Sequence, residues 1–373
     1  MFENTCYRLW RALGHRLLTA GVIDECGLKR PRRPICIPAR EGAPQFERLV
    51  CVTGFGYSGS GAVLDLLSEY AGVTVNAFVD AGAGGSLRQA RCAACELDLL
   101  RREGGLFALE KAIGNPSIYF QDAAVHEFLS FADHLYNCQG GLYNDQFLAA
   151  ARAFLDDLIA YRLPTSGDGG YSPALIPLRR KGIALFWGAE AAKSNYLFHM
   201  REMSVAEYRA KARAFLSRVL AALPSEKCLV LDQIVTDRTA DIAKYQDYLG
   251  PMKLVACRRD PRDVYATGVK LGVAAIPRDP EAFALWYRSA VASYLRLSHD
   301  DFLLLRFEDL VCDYEAQVAR VERFLDLSPA SHVRPRSAFD PAVSRANVGL
   351  WREMGDNPVM ACVANLLTEF CHG

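Results

Sequence analysis

The chain has 373 residues, of which 51% are hydrophobic and 23% charged, and its 43 basic side chains are balanced by 43 acidic ones. A chain of this composition buries a large core, which excludes intrinsic disorder and argues against a strongly basic nucleic-acid-binding protein. The length exceeds the ~100–200 residues usual for one domain. We therefore expect either one large α/β domain with insertions or a core with a smaller cap.

Residues 1–44 are interpreted as a short amphipathic helix followed by the basic linker Lys29–Pro34. The prolines exclude regular structure in the linker, and its basic side chains are expected to be solvated. A second interpretation is peripheral contact of this segment with an anionic membrane surface. The sequence has no apolar run long enough to cross a membrane and no continuous apolar core of a signal peptide, so we expect a cytoplasmic protein.

From residue 45 onward the sequence has the rhythm of a parallel sheet. Short apolar runs are followed by Gly or Asp turns and then by helical periodicity, as in crossover units buried on both faces. The predicted strands are Leu49–Thr53, Leu97–Arg101, Ile183–Trp187, Cys228–Leu231, Lys253–Arg258 and Phe302–Arg306. The predicted fold class is α/β, a P-loop-type parallel β-sheet flanked by helices, in a domain of residues 45–373.

The segment 109–210 shows helical periodicity and many aromatic residues, which predicts a helical cap inserted into the sheet domain. The aromatic side chains have two interpretations, the wall of an acceptor pocket or the core of the cap itself. They are Tyr119, Phe120, Phe128, Phe131, Tyr136, Phe147 and Phe154.

Twelve cysteines are scattered along the chain. In a chain of this length they predict reduced thiols rather than a disulfide framework. Cys92 and Cys95 have the spacing of a zinc knuckle, but no second pair of cysteine or histidine ligands matches them. We therefore expect no metal.

The clearest functional signal is the Gly-rich segment that follows the first predicted strand, from Gly54 to Gly61. Glycines let the backbone bend until successive N–H groups converge, and the next helix adds the positive end of its dipole, so this geometry binds an anion. Ser60 and Gly61 stand where a nucleoside triphosphatase carries Lys and then Ser or Thr, which argues against Mg²⁺-dependent triphosphate chemistry. A generic Gly-rich turn between strand and helix is the alternative.

A second strand, turn and helix follow within residues 253–267. Asp260 is a suitable N-cap, Pro261 suits the first helical position, and Asp263 is expected to close the cap three residues later. Arg259 then falls at the carboxyl end of a strand, where open α/β sheets bind ligands. The alternative is a capped helix beside a solvated arginine cluster.

The Gly-rich loop resembles the 5′-phosphosulfate loop of the sulfotransferases, a family that transfers a sulfonate group from 3′-phosphoadenosine 5′-phosphosulfate (PAPS). Gly54, Ser58, Gly59 and Ser60 match the family pattern, whereas Tyr57 replaces its usual basic residue. The resemblance implies that the Tyr57 hydroxyl takes over the role of that cation, that another cation does so, or that catalysis is poor. The other cations considered are Lys193 and Arg262.

Three later segments extend the resemblance over roughly residues 49–352. Arg259 and Thr267 match the family's 3′-phosphate motif, and Arg345 and Gly349 match the loop that covers the donor nucleotide. Glu308 and Asp309 match a segment that we interpret as structural. The donor-binding residues implied by the resemblance are Gly56, Tyr57, Ser58, Gly59, Ser60, Gly61, Ala62, Arg259, Thr267, Arg345 and Gly349.

The catalytic base is the residue that the resemblance fixes least. Sulfonate transfer needs a group that removes the acceptor proton. Family members use His or a carboxylate after the second strand, which makes Glu96 the first candidate and Asp232, at the end of a predicted strand, the second. The remaining candidates are Asp98, His126, His134 and His199.

The resemblance implies an α/β enzyme that uses PAPS, releases adenosine 3′,5′-bisphosphate (PAP) and requires no metal. The implied acceptor carries a hydroxyl or amine and belongs to a glycan or glycolipid, with a hydrophobic alcohol as a further option. Two other functions stay open, a kinase-like P-loop phosphotransferase and a nucleotide-binding module without catalysis. The sequence does not fix the oligomeric state.

Overall fold

The structure is a computed structural model of the chain, and the elements named below belong to the residues that it describes. These residues are 46–76, Leu100, 105–138, 144–165, 176–188, 191–193, 195–221, 227–233, 242–272, 276–297 and 300–372. The strands are β1 (Arg48–Thr53), β2 (Val73–Asn76), β3 (Ile159–Thr165), β4 (Asn195–Met200), β5 (Cys228–Asp232), β6 (Lys253–Arg258) and β7 (Phe302–Arg306). The α-helices are α1 (Ser60–Ser68), α2 (Leu106–Glu110), α3 (Ile118–Cys138), α4 (Asp145–Leu158), α5 (Ile176–Trp187), α6 (Val205–Leu220), α7 (Ile242–Leu249), α8 (Pro261–Leu271), α9 (Pro280–Leu295), α10 (Phe307–Cys312), α11 (Tyr314–Leu325), α12 (Pro341–Ser344) and α13 (Pro358–Leu366).

Contacts between these elements divide the described chain into two compact units. One unit contains a five-stranded sheet in the order β2-β5-β1-β6-β7, and every neighbouring pair in it is parallel. The central strand β1 is where the order reverses, because β5 lies on one side of it and β6 on the other. In open α/β sheets ligands bind at the carboxyl ends of the strands beside such a reversal.

Two apolar clusters cover the two faces of this sheet. Val52 of β1 and Val255 of β6 pack with α1, α10 and α11 on one face, and Ala256 packs with α8, α9 and α13 on the other. This double burial explains why the strands read as continuous apolar runs. The α/β fold class, with a parallel sheet flanked by helices, is confirmed.

The second unit comprises α2 to α6 and the antiparallel pair of β3 and β4. Its aromatic side chains form a core, since Phe128, Phe154 and Phe215 are buried and in ring contact with one another. By contrast, Tyr119 and Phe120 at the start of α3 are exposed. Of the two interpretations of the aromatic residues, the core therefore applies to the buried ones.

The prediction of a strand at Ile183–Trp187 is wrong, because these residues form the last turns of α5. Their apolar run is short, and periodicity alone does not separate a buried strand from a buried helix in so few residues. Gly182 allows the helix to approach α3 closely, since a β-carbon there would lie 3.1 Å from Leu129. The predicted strand Leu97–Arg101 lies outside the described residues except for Leu100, which is helical.

Candidate functional site

The loop between β1 and α1 is the center of the candidate site. Tyr57 and Gly59 both have left-handed backbone conformations, with φ of 65° and 92°, and the Ser58 N–H donates to the Phe55 carbonyl at 2.9 Å. Only glycine suits position 59, because a β-carbon there would lie 2.7 Å from the Phe307 ring. The turn therefore leads directly into Ser60, the first residue of α1.

The inside of this loop is lined by hydroxyl groups. A β-carbon on Gly54 would lie 2.1 Å from Ser58 Oγ and 3.1 Å from Ser60 Oγ, so both hydroxyls face the space that Gly54 leaves open. Ser58 is buried, and its Oγ has no hydrogen-bond partner among the residues that the structure describes. A buried hydroxyl without a partner is costly unless a ligand satisfies it.

The other predicted loop residues lie at the rim or the base of the loop. Gly56 and Gly61 have open space where a β-carbon would stand, and the Ala62 N–H donates to the Gly59 carbonyl at 3.1 Å. The Tyr57 side chain is 38% exposed. Within the described part of the chain, no hydrogen bond ties the Tyr57 hydroxyl to the loop.

Asp232 ends β5 beside this loop. It pairs in register with Val52, two residues before Gly54, and it is buried. Burial raises the pKa of its carboxyl from 3.8 to about 6. Its Oδ1 has no hydrogen-bond partner among the described residues. A carboxylate with a pKa near neutrality at the end of a strand suits general-base chemistry.

Arg259 and Thr267 meet beside the carboxyl end of β6, the neighbour of β1. Arg259 Nη1 donates to Thr267 Oγ1 at 3.2 Å, and Nη2 donates to the Asn347 carbonyl at 2.5 Å. The guanidinium lies over the Phe307 ring at 5.2 Å. Burial lowers the pKa of Arg259, with Asp263 acting in the opposite direction. A buried guanidinium with a hydroxyl at its side is a suitable partner for a phosphate monoester.

Arg262 is held by its own helix cap. Its guanidinium donates to both carboxylate oxygens of Asp260, at 3.0 and 2.7 Å, and lies over the Trp351 ring at 4.4 Å. The Asp260 N–H in turn donates to buried Glu308 at 2.7 Å. Arg262 is therefore engaged in structural contacts, and Glu308 joins the start of α10 to the end of β6. The Lys193 side chain lies outside the described residues.

Asp263 does not close the cap of α8, so that prediction is wrong. Its carboxylate instead accepts hydrogen bonds from the N–H groups of Gly349 and Trp351, at 2.8 and 3.0 Å. These contacts, together with that of Asn347 on Arg259, fasten the segment 347–351 beside the arginine. The Arg345 side chain is exposed, and its guanidinium contacts Cys312 Sγ at 3.5 Å.

The remaining base candidates belong to the helical unit or lie outside the described residues. Glu96 and Asp98 lie outside the described residues, as does the side chain of His134. His126 is buried against Phe198, and His199 Nδ1 lies 2.7 Å from the Met200 carbonyl; both histidines belong to the helical unit.

Sequence reasoning missed two residues of the site. Gln233 follows Asp232, and its amide donates to Ser60 Oγ at 3.2 Å. Asn347 supplies the carbonyl that binds Arg259. A left-handed φ of 58° at Gln233 carries no signal in the sequence, because glutamine is not a residue typical of that conformation.

The described residues contain neither a metal-binding group nor a helix that could span a membrane. No group of three or more His, Cys, Asp or Glu side chains among them could hold a metal ion. No helix among them is long and apolar enough to cross a membrane. The pair Cys92 and Cys95 and the segment 1–44 lie outside the described residues.

Comparisons with known proteins found structural likenesses only. No family model and no curated protein matches the chain. The sulfotransferase domain from the olefin synthase of Synechococcus PCC 7002 aligns with 88% of this chain and 96% of its own length, at 12% identity and a TM-score of 0.39. Sulfotransferase STF9 from Mycobacterium avium aligns with 88% of this chain and 76% of its own length, at 14% identity and a TM-score of 0.34. At these values neither likeness decides the function of this chain.

Proposed function

We propose that this chain is a sulfotransferase that binds PAPS at the carboxyl ends of β1 and β6 and transfers its sulfonate group to a hydroxyl or amine acceptor. The observation that carries the proposal is the contact of Arg259 with Thr267, two residues that the sequence separates by eight positions. They lie beside β6, and β6 pairs directly with β1, which leads into the loop between β1 and α1. Two anion sites at adjacent strand ends suit a donor that carries two anionic groups.

The residues present fit such a donor. The loop offers the buried Ser58 hydroxyl, which has no partner among the described residues, and the first N–H groups of α1. The second site offers the Arg259 guanidinium, whose buried Nε also has no partner among them. Phosphate and sulfate oxygens accept hydrogen bonds from all these groups.

Asp232 is the base candidate that the described residues offer at this edge of the sheet. In the proposed reaction the acceptor oxygen or nitrogen attacks sulfur, the bond from sulfur to the bridging phosphate oxygen breaks, and PAP departs with that electron pair. Asp232 removes the acceptor proton, for which a pKa raised to about 6 keeps it largely ionised at neutral pH. We propose a glycan or glycolipid as acceptor, with transfer tested against both and against hydrophobic alcohols.

Titration calorimetry with PAP, ADP and ATP, each with and without Mg²⁺, tests the donor site. We expect metal-independent binding that requires the 3′-phosphate. A preference for ATP with Mg²⁺ would overturn the proposal in favor of a phosphotransferase. Binding of PAP without transfer to any acceptor would instead identify a nucleotide-binding module without catalysis.

We expect Arg259→Ala to weaken PAP binding by about 2–4 kcal/mol, roughly 30- to 1000-fold, because the phosphate loses a buried charged partner. Arg288→Ala is the matched control, since Arg288 is a half-exposed arginine on α9 that pairs with Glu369. Affinity that is equal in both variants would remove the 3′-phosphate assignment.

A further inference from the structure

We propose that Gln233 is a positioning residue that aims the hydroxyl proton of Ser60 at the anion held by the β1–α1 loop. The inference rests on the proposed function for the identity of the donor, but its core is the geometry of two side chains. Gln233 Nε2 donates to Ser60 Oγ at 3.2 Å, across 173 residues of sequence.

The direction of this hydrogen bond decides what Ser60 does. A hydroxyl has one proton to donate and two lone pairs that accept. Because the amide N–H of Gln233 occupies a lone pair of Ser60 Oγ, the Ser60 proton is left to donate elsewhere. Ser60 is the first residue of α1, and its Oγ lies 3.1 Å from the β-carbon position of Gly54, inside the loop. The proton is therefore available to an anion in that space.

The backbone of Gln233 is held so that the side chain reaches the loop. Its N–H donates to the Val52 carbonyl at 2.7 Å, which continues the pairing of β5 with β1 by one residue. Its φ of 58° turns the chain at that point into the left-handed region, which a glutamine seldom adopts. Strained conformations of this kind persist where surrounding contacts hold them, and they cluster at ligand sites.

Glycine would satisfy the backbone of position 233 more easily than glutamine does. A purely structural role for this residue therefore predicts that glycine is tolerated or favourable there. A positioning role predicts that the amide is required for ligand binding even though the backbone would gain from its removal. The two roles are distinguishable by measuring stability and affinity in the same variants.

The first test is a double-mutant cycle on PAP affinity measured by calorimetry. We expect Gln233→Leu to weaken binding about tenfold, the scale of one hydrogen bond to a charged ligand, and to have almost no further effect in a Ser60→Ala background. An equal loss in both backgrounds would overturn the proposal, since Gln233 would then not act through Ser60.

A second pair of variants tests the direction of the hydrogen bond and the backbone. Gln233→Glu presents an acceptor to Ser60, so its hydroxyl proton turns away from the ligand and a negative charge is added; we expect a larger loss than for Gln233→Leu. We expect Gln233→Gly to lose affinity as Gln233→Leu does while its resistance to urea is equal to that of the wild type or higher. Binding by Gln233→Gly at the wild-type level would overturn the proposal.

Inorganic pyrophosphate is the second probe, because it carries no nucleoside and tests anion binding by the β1–α1 loop alone. If the wild-type protein binds pyrophosphate but shows no preference for PAP, the proposed function fails while the effect of Gln233 is still read from pyrophosphate affinity. Unchanged pyrophosphate affinity in Gln233→Glu would overturn the role of Gln233 regardless of the donor.

Discussion

The buried polar side chains at the two ends of helix α1 differ in how many hydrogen-bond partners they have. At the carboxyl end, the carboxylate of Glu69 is fully buried and surrounded by donors. It accepts from the N–H groups of Arg336, Ala338 and Phe339 at 2.9–3.1 Å, and His332 Nε2 lies 2.7 Å from its Oε2. The His332 ring also stacks on Tyr70 at 4.3 Å. Each of the two carboxylate oxygens of Glu69 therefore has two polar partners.

At the amino end, two buried side-chain oxygens differ from those of Glu69. Ser58 Oγ and Asp232 Oδ1 are both buried, and neither has a hydrogen-bond partner among the described residues. Most buried polar groups in native proteins are satisfied, so an exception needs an explanation. Glu69 thus has the contacts of a residue that stabilises the fold, whereas under the proposed function a bound ligand offsets the cost at Ser58 and Asp232.

The largest effect on stability is expected at the carboxyl end of α1, where Glu69 lies. Glu69→Ala leaves three backbone N–H groups and His332 without their acceptor, which we expect to cost about 3–5 kcal/mol of the free energy of unfolding. Urea unfolding measures this loss. The fraction of protein that stays folded should bind PAP with wild-type affinity, because the proposed ligand site lies at the other end of the helix.

Glu315→Ala is the matched control for that variant. Both glutamates contact Arg336, but the side chain of Glu315 is 76% exposed and reaches only the guanidinium, at 2.6 Å. We expect a change in the free energy of unfolding below about 0.5 kcal/mol. Equal losses in the two variants would contradict the view that the buried network, rather than its charge, stabilises this end.

At the amino end of α1, the stability of the protein should depend on pH through Asp232. Burial raises the pKa of Asp232 from 3.8 to about 6, because the folded protein binds the neutral carboxyl more favourably than the charged one. Asp232 therefore stabilises the fold fully below about pH 4, and this contribution is lost as pH rises through about 6. We expect Asp232→Asn to raise the free energy of unfolding at pH 8 by up to about 3 kcal/mol. The gain should shrink as pH falls and vanish near pH 4.

Urea unfolding of wild type and variant from pH 4 to pH 8 measures that difference. The variant should also lose turnover, because an amide does not accept the acceptor proton. A gain in stability that is the same at every pH would show that the Asp232 carboxyl is not the titrating group. Retained turnover would move the catalytic base elsewhere, with Glu96 the next candidate.

The sequence predicted those elements whose physical cause is local. β1, β5, β6 and β7 were identified because strands buried on both faces are continuous apolar runs. The resemblance assigns Arg259 and Thr267 to one phosphate motif within a turn and the following helix, and the structure brings their side chains into contact. The strand β2 is not predicted, because it has only four residues, and Thr74 and Asn76 interrupt the continuous apolar run by which the other strands are recognised.

The sequence does not predict contacts between residues that lie far apart along the chain. Asp263 has the spacing of a capping residue, but its carboxylate binds N–H groups 86 and 88 positions away. Glu69 is an ordinary helix-terminal glutamate in the sequence, and its partners lie about 270 positions further on. Long-range pairing of this kind leaves no local pattern, so tertiary contacts override what propensity and spacing predict.

Among Glu69, Asp232 and Ser58, the substitution of Ser58 is expected to change stability least, and it separates the roles of the two ends of α1 most clearly. Ser58→Ala removes a buried hydroxyl that has no partner among the described residues, so we expect the free energy of unfolding to change by no more than about 1 kcal/mol, with a gain if desolvation outweighs lost packing. Affinity for PAP should fall about tenfold, because the ligand loses one donor inside the loop.

Ser68→Ala at the far end of the same helix is the control. Its exposed hydroxyl donates to the Asp65 carbonyl at 2.6 Å, so the substitution should alter neither affinity nor stability by a measurable amount. A loss of 2 kcal/mol or more in Ser58→Ala with unchanged PAP affinity would mean that Ser58 serves the fold. The amino end of α1 would then be no different in kind from the end that Glu69 closes.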